Sequence, residues 1–183
     1  MELSIKAIGK VIGFVLVALL LNAVINLKFS SLKDISFTQA RSYVTAEDVD
    51  RKLDCLAMNI YREAGHEPFE GKVAVAQVTL NRVDHPKFPK DVCNVVFQKN
   101  IVMEKVVCQF SWYCMKDNTK KPNDEAYKDS YIVAKKVLLE GFRLEGLKDA
   151  MFYHADYISP NWPHEKITQI GHHIFYKSKE QRI

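Results

Sequence analysis

The chain has 183 residues, 48% hydrophobic and 26% charged, which excludes a disordered protein and supplies enough apolar material for one globular domain. A net charge of +4 suits a polyanionic wall or a membrane surface without requiring either. No basic block with interleaved aromatics occurs, so no nucleic-acid partner is expected.

Lys6 and Lys10 precede the apolar run "VIGFVLVALLL", and the apolar character continues past Asn22 and Asn26 to Leu27. The length from Ile5 to Leu27 matches the roughly 20 residues of a bilayer-spanning helix. "NAVIN" makes a poor small-residue cleavage site. The expectation is therefore a retained signal anchor over residues 1–28, rather than a cleaved signal peptide or a buried core helix. Membrane contact would run through residues 5–27, as one N-terminal transmembrane helix. The two leading lysines favour a cytoplasmic N-terminus, although Lys28 and Lys33 weaken the contrast. The protein would then be membrane-anchored, with its working domain on the periplasmic or extracytoplasmic side. Serines and threonines among mixed charges make residues 29–45 a tether, and leave 46–183 as the working domain.

Thr45 and Asp48 resemble a capping box, which starts a helix near Ala46 and lets it end at Ala64 or at Gly65 as a left-handed cap. Pro68 opens a second helix in its first turn, with Val73, Ala76, Gln77 and Leu80 at helical spacing. "HPKFPKD" is a loop, "DVCNVVFQ" a short helix, and residues 99–123 are irregular. A third long helix carries Tyr127, Tyr131, Ala134 and Leu138 on one face. "AMFYHADY" and "GHHIFYK" are short extended segments. The fold class is α+β, mainly helical with a small β element.

Four cysteines, Cys55, Cys93, Cys108 and Cys114, lie outside the apolar run, an even number compatible with two disulfides. Three pairings are possible: Cys108 and Cys114 pair with each other or with Cys93 and Cys55. Four reduced, buried thiols are the alternative, and a zinc site lacks any C-x-x-C spacing.

The first helix poses a question. Val49, Leu53, Leu56 and Ile60 form an apolar stripe, and its next position is Glu63. A carboxyl directed into a core resists ionisation and is suited to donate a proton; at a fraying helix end it would instead turn to solvent or pair with Arg62 or Arg82.

The wider string "CLAMNIYREAGHEPFEGKVAVAQVTLNRV", followed by "FPKDVCNVVFQ", "CQFSW", "FYHADYISPNW" and "ITQIGHHIFYK", resembles the SleB-type cell wall hydrolase family, the spore-cortex-lytic enzymes and their bacterial and phage relatives. The likeness runs from Cys55 to Lys177. It implies a lysozyme-like domain that cleaves the glycan strands of peptidoglycan, and it carries the family's acid onto Glu63. Relatives commonly have E-A-R-G-E where this chain has "EAGHE", with His66 in place of the glycine and no arginine.

The expected chemistry is a lytic transglycosylase acting on the MurNAc–GlcNAc bond, with Glu63 as acid and base and no cofactor or metal. Glu67, Gln109, Ser111, Trp112, Tyr153 and His154 are the candidate substrate-binding residues. Tyr153 and His154 alternate along one extended segment, so only one should face the cleft at a given depth. The expected partner is the peptidoglycan glycan strand, bound by a monomer. Two alternatives stand beside this expectation. One is an amidase using His154, His164, His172 or His173 with Asp156 and Glu165 as zinc ligands; the other is a non-catalytic peptidoglycan-binding module.

Overall fold

The computed structural model describes residues 12–28, 45–115, 122 and 124–179. The chain divides into two units, Met1–Thr45 and Ala46–Ile183. In the first, residues 12–28 form an exposed helix, α1. These 17 described residues rise about 25 Å, at 1.5 Å per residue, against the roughly 30 Å hydrocarbon core. The helix's last turns carry Asn22, Asn26 and Lys28, and the Asn22 amide donates back to the Ala18 carbonyl at 3.1 Å. Among the described residues no helix is long and apolar enough to cross a membrane. This corrects the expected transmembrane helix and the membrane contact through residues 5–27 that rested on it. Residues 5–11 of that span and 29–44 of the expected tether lie outside the described residues.

In the second unit the apolar stripe forms helix α2, Ala46–Ala64, which buries Leu53, Leu56, Ala57 and Ile60. Glu47 and Asp48 sit in its first turn, where carboxylates oppose the positive end of the helix dipole. Gly65 follows the helix without a left-handed conformation. A Cβ there would lie 2.5 Å from the Tyr61 carbonyl oxygen, so a close backbone approach, not a positive φ, calls for glycine.

Helix α3, Phe69–Asp84, begins just after Pro68, whose fixed φ caps it without a side-chain hydrogen bond. Gly71 to Leu80 are buried on every side. A helix apolar all round belongs in the middle of a domain, and α3 is the axle here. Its few polar residues hold neighbouring chain. Gln77 exchanges hydrogen bonds with the Leu144 backbone, Asn81 donates to the Leu147 and Ala150 carbonyls at 2.8 Å each, and Arg82 donates to Met151 O.

Helix α4, Val92–Val96, is capped by Asp91, which accepts from the Asn94 amide and pairs with Arg51 of α2. The Cys55–Cys93 disulfide adds a covalent tie between α2 and α4. Residues expected to be irregular form an antiparallel hairpin, β1 (Lys99–Val102) and β2 (Lys105–Cys108), followed by a 3₁₀ turn over Ser111–Cys114. Met103 and Glu104 make the two-residue turn with φ of 46° and 63°, a left-handed pair that usually calls for Asn-Gly.

Helix α5, Glu125–Leu138, is capped by Asp124 and packs Tyr127, Val133, Ala134 and Val137 into the core shared with α2 and α3. The sheet has the order β3–β5–β4 and is antiparallel throughout: β3 Ala150–Ala155, β4 Glu165–Ile170, β5 His173–Lys177. β4 is a strand beyond the two expected. Phe175 of β5 is fully buried in a cluster with Ala74 and Val78 of α3, which seats the sheet on the central helix.

Candidate active site

Glu63 stands in the last turn of α2, on the buried stripe, and β3 approaches it from the sheet. Ala150 is hung from Asn81 and Met151 from Arg82, so the third and fourth residues of β3, Phe152 and Tyr153, are carried over the end of α2. The Tyr153 hydroxyl donates to Glu63 Oε2 at 3.0 Å. Burial raises the Glu63 carboxyl above its usual ionisation range, while the Tyr153 hydrogen bond and the Arg82 charge pull partly the other way. Loss of solvent and the nearby Glu63 push the Tyr153 phenol well above its ordinary value, so it stays a donor.

The pair opens into a cleft of about 620 Å³. One side comes from the loop closed by the Cys108–Cys114 disulfide: Gln109, Phe110, Ser111 and Trp112. The other is the outer face of β3 and the arm that follows it, with Phe152, His154, Tyr157 and Trp162. Arg62 and Arg82 complete the surroundings of Glu63, which is the single carboxylate among the described residues lining the cleft.

Five of the expected substrate residues, Gln109, Ser111, Trp112, Tyr153 and His154, are brought together around this space with Glu63. They differ in what they offer. Ser111 is exposed and Gln109 half-buried, so both present polar groups to a ligand. Trp112 is only 7% exposed, and its indole N–H donates to Asn59 Oδ1 at 3.0 Å in a buried pair that also engages Thr79. Its polar atom is spent in the core. Tyr153 and His154 both line the cleft although they alternate along β3, so the expectation that only one of them faces it does not hold. His154 has both ring nitrogens engaged: Nδ1 donates to the Ala155 carbonyl, and Nε2 then accepts from the Tyr176 hydroxyl, each at 2.8 Å.

Although it shares a smaller pocket with Glu63, Glu67 does not line this cleft. Its Oε2 accepts from the His172 amide at 3.1 Å, in the β4–β5 turn, and glycines at 71 and 171 make room for its side chain. Three further histidines have defined neighbours, although Nδ1 of His164 and of His173 has no hydrogen-bond partner among the described residues. His172 pairs with Asp156 at 3.1 Å, His164 stacks on Phe152 with ring centres 4.0 Å apart, and His173 meets the Tyr153 ring edge-on. Among the described residues no three His, Cys, Asp or Glu side chains gather closely enough to hold a metal ion.

Arg82 and Trp162 are site residues that the sequence reasoning did not single out as such. A signal existed for Arg82: it extends a helix buried on all sides, where a guanidinium has no nearby solvent.

Comparison with known proteins places this geometry. A family model described as Cell Wall Hydrolase matches residues 66–176. The chain belongs to the cell wall hydrolase family. The match begins three residues after Glu63 and takes in Arg82, the 108–114 loop and Tyr153. The spore cortex-lytic enzyme of Oceanobacillus iheyensis is 32% identical over 128 residues, 68% of this chain and 41% of that protein. The spore cortex-lytic enzyme of Bacillus subtilis is 31% identical over 123 residues, 66% of this chain and 35% of that protein. The chain thus spans less than half the length of these relatives. Among solved structures, the catalytic domain of the Bacillus cereus SleB protein superposes with a TM-score of 0.53 at 29% identity, covering 70% of this chain and 91% of that one. The catalytic domain of the germination-specific lytic transglycosylase SleB from Bacillus anthracis gives a TM-score of 0.54 at 28% identity, with coverage of 73% and 98%. The lysozyme-like catalytic fold implied by the sequence resemblance is therefore the fold of this domain.

Proposed function

We propose that the domain cleaves peptidoglycan glycan strands at the MurNAc–GlcNAc bond as a lytic transglycosylase, with Glu63 as both acid and base. Membership of the cell wall hydrolase family supports the substrate, and the similarity to a domain titled as a lytic transglycosylase favours that product. The observation that carries the reading is the setting of Glu63: a carboxyl whose ionisation is delayed by burial, held by Tyr153, in a cleft with no second carboxylate among its described lining residues. Glycoside hydrolases usually place two carboxyl groups across the bond.

One carboxyl suffices when the nucleophile belongs to the substrate. Glu63 gives its proton to the bridging oxygen as the bond from that oxygen to the muramyl C1 breaks. Tyr153 steadies the resulting carboxylate through Oε2. The carboxylate then takes the proton of the muramyl 6-hydroxyl as O6 bonds to C1. The products are a free GlcNAc 4-hydroxyl and a 1,6-anhydromuramic end; Glu63 is protonated again and no water is consumed. Intramolecular attack supplies the effective concentration that a second carboxylate would otherwise lend to water.

Placement of the domain outside the cytoplasm is part of the proposal, supported by the two disulfides. An amidase is less favoured, because among the described residues no three His, Cys, Asp or Glu side chains gather closely enough to hold its zinc. Mass spectrometry of muropeptides after digestion tests the reading. Anhydromuramic ends are expected. Reducing muramic ends would make the enzyme a hydrolase, and freed stem peptides an amidase.

A further inference from the structure

Arg82 is 3% exposed, an unusual place for a guanidinium. Its Nε donates to Met151 O at 2.8 Å, and its guanidinium carbon lies 5.2, 5.6 and 5.9 Å from the ring centres of Phe110, Phe88 and Phe152. Nη1 is buried and has no hydrogen-bond partner among the described residues. A buried cation without a matched partner is costly, and three aromatic faces offset only part of that cost. The same hold on β3 through Met151 O could be provided by a neutral donor. The charge itself therefore calls for a reason.

Burial lowers the Arg82 pKa to about 10, so the side chain remains a cation at neutral pH. The groups it acts on are Tyr153 and Glu63. The charged and titratable residues lining the spaces around Glu63 are Tyr61 and Arg62 on its own helix, His66 and Glu67 in the turn before α3, Arg82 on α3, Tyr153 and His154 on β3, Tyr157 after it and His173 on β5. Of these, Tyr153 and Arg82 are the ones that favour the Glu63 carboxylate.

We propose that Arg82 is a positioning residue for catalysis: caged by Phe88, Phe110 and Phe152 beside the Tyr153–Glu63 pair, it supplies the fixed positive charge against which the Glu63 carboxylate forms. The inference rests on the acid/base reading of Glu63 given above. Burial alone would hold the carboxyl protonated so firmly that it would be a poor donor. The caged cation offsets this while its Nη1 stays shielded from solvent. It also steadies the carboxylate until the muramyl 6-hydroxyl returns a proton.

The test uses the full chain, with the Glu63 carboxyl followed by carbon-13 NMR titration and the pH profile of glycan cleavage measured in parallel. Arg82→Gln and Arg82→Met should raise the Glu63 midpoint and move the basic limb of the profile upward by roughly one pH unit, the lower end of the effect of a close opposite charge. Arg82→Lys should stay nearer to wild type than either neutral variant. Folded neutral variants with an unmoved midpoint would overturn the inference, as would a lysine variant displaced as far as they are. A wild-type measurement keeps it testable if the neutral variants do not fold. The Arg82 Nε–H resonance should titrate with the Glu63 midpoint and cease to do so in Glu63→Gln. A resonance indifferent to Glu63 would overturn the proposal. Neither NMR readout needs glycan cleavage, so a protein that leaves peptidoglycan intact would sink the proposed function without altering this result.

Discussion

Tyr153 and Glu63, ninety positions apart in the chain, meet through a hydroxyl-to-carboxyl hydrogen bond of 3.0 Å. The bond occupies Oε2. Oε1 is therefore the carboxyl oxygen left to carry the proton that is transferred, and the tyrosine fixes which way the acid points.

Glu63→Gln is expected to lower glycan cleavage by roughly 10²–10⁴-fold while the protein stays folded, because an amide keeps the shape and cannot transfer the proton. Muropeptide release beside a circular dichroism melt checks both halves. Turnover near wild type in a folded variant would remove Glu63 from the mechanism.

Tyr153→Phe retains the ring packing against Phe175 and His173 and deletes the donor. That hydrogen bond favours the Glu63 carboxylate, so its loss should move the basic limb of the pH profile to higher pH. Turnover should fall about tenfold at the optimum, the equivalent of one charge-assisted hydrogen bond of about 1.4 kcal/mol. An unmoved limb would mean that the bond does not act on the acid.

Stability should also report on Glu63. Its folded pKa is raised above the ordinary 4.5, so within that window the native state holds more protons than the unfolded chain. Stability contributed by this group is therefore intact below 4.5 and declines as pH rises through the folded value. Glu63→Gln, which has no such titration, should melt higher than wild type at about pH 7, with the difference narrowing at about pH 4. A glutamine variant less stable at neutral than at acid pH, relative to wild type, would contradict the raised pKa.

Gly171 has a φ of 56°, and a Cβ there would run into Glu67 Oε2. Gly171→Ala should cost about 2 kcal/mol from left-handed strain and a disturbed Glu67–His172 bond. Glu67→Gln should reduce activity far less than Glu63→Gln, since Glu67 braces a turn. Denaturant unfolding and cleavage assays separate the two effects; the reverse ranking would move the acid to Glu67.

The two disulfides should contribute unequally. Cys55–Cys93 bridges 38 positions and Cys108–Cys114 only 6, so chain entropy assigns about 4 and about 2 kcal/mol. Replacing both cysteines of the first pair by serine should lower stability more. Replacing the second pair should instead raise KM, by loosening the loop that holds Gln109 and Ser111. Equal stability losses with unchanged KM would argue against that division.

The long helices were legible in the sequence because each has a local signature. Leu53, Leu56 and Ile60 mark the buried stripe of α2, Pro68 marks the start of α3, and Tyr127 and Ala134 mark the inner face of α5. The inward direction of Glu63 follows from the same period. Hydropathy alone misled at the N-terminus, where an apolar run was expected to span a bilayer; among the described residues no helix is long and apolar enough to do so, and the run carries Asn22, Asn26 and Lys28. The β1–β2 hairpin escaped notice because seven of its eight strand residues are exposed, leaving no buried alternation, and its left-handed turn uses Met103 and Glu104 in place of glycine or asparagine.

What only the tertiary structure decided is what surrounds the acid. The cysteine pairing, the seating of Phe175 on Ala74 and Val78, and the hold of Asn81 and Arg82 on the start of β3 are all contacts between distant segments. The same contacts bring Tyr153 to Glu63 and bury Arg82 among three phenylalanines. A helical stripe is specified by residues three and four apart, so neighbouring positions reveal it. A hydrogen bond across ninety positions depends on where the intervening chain folds back, and that is set by the packing of the whole core on α3.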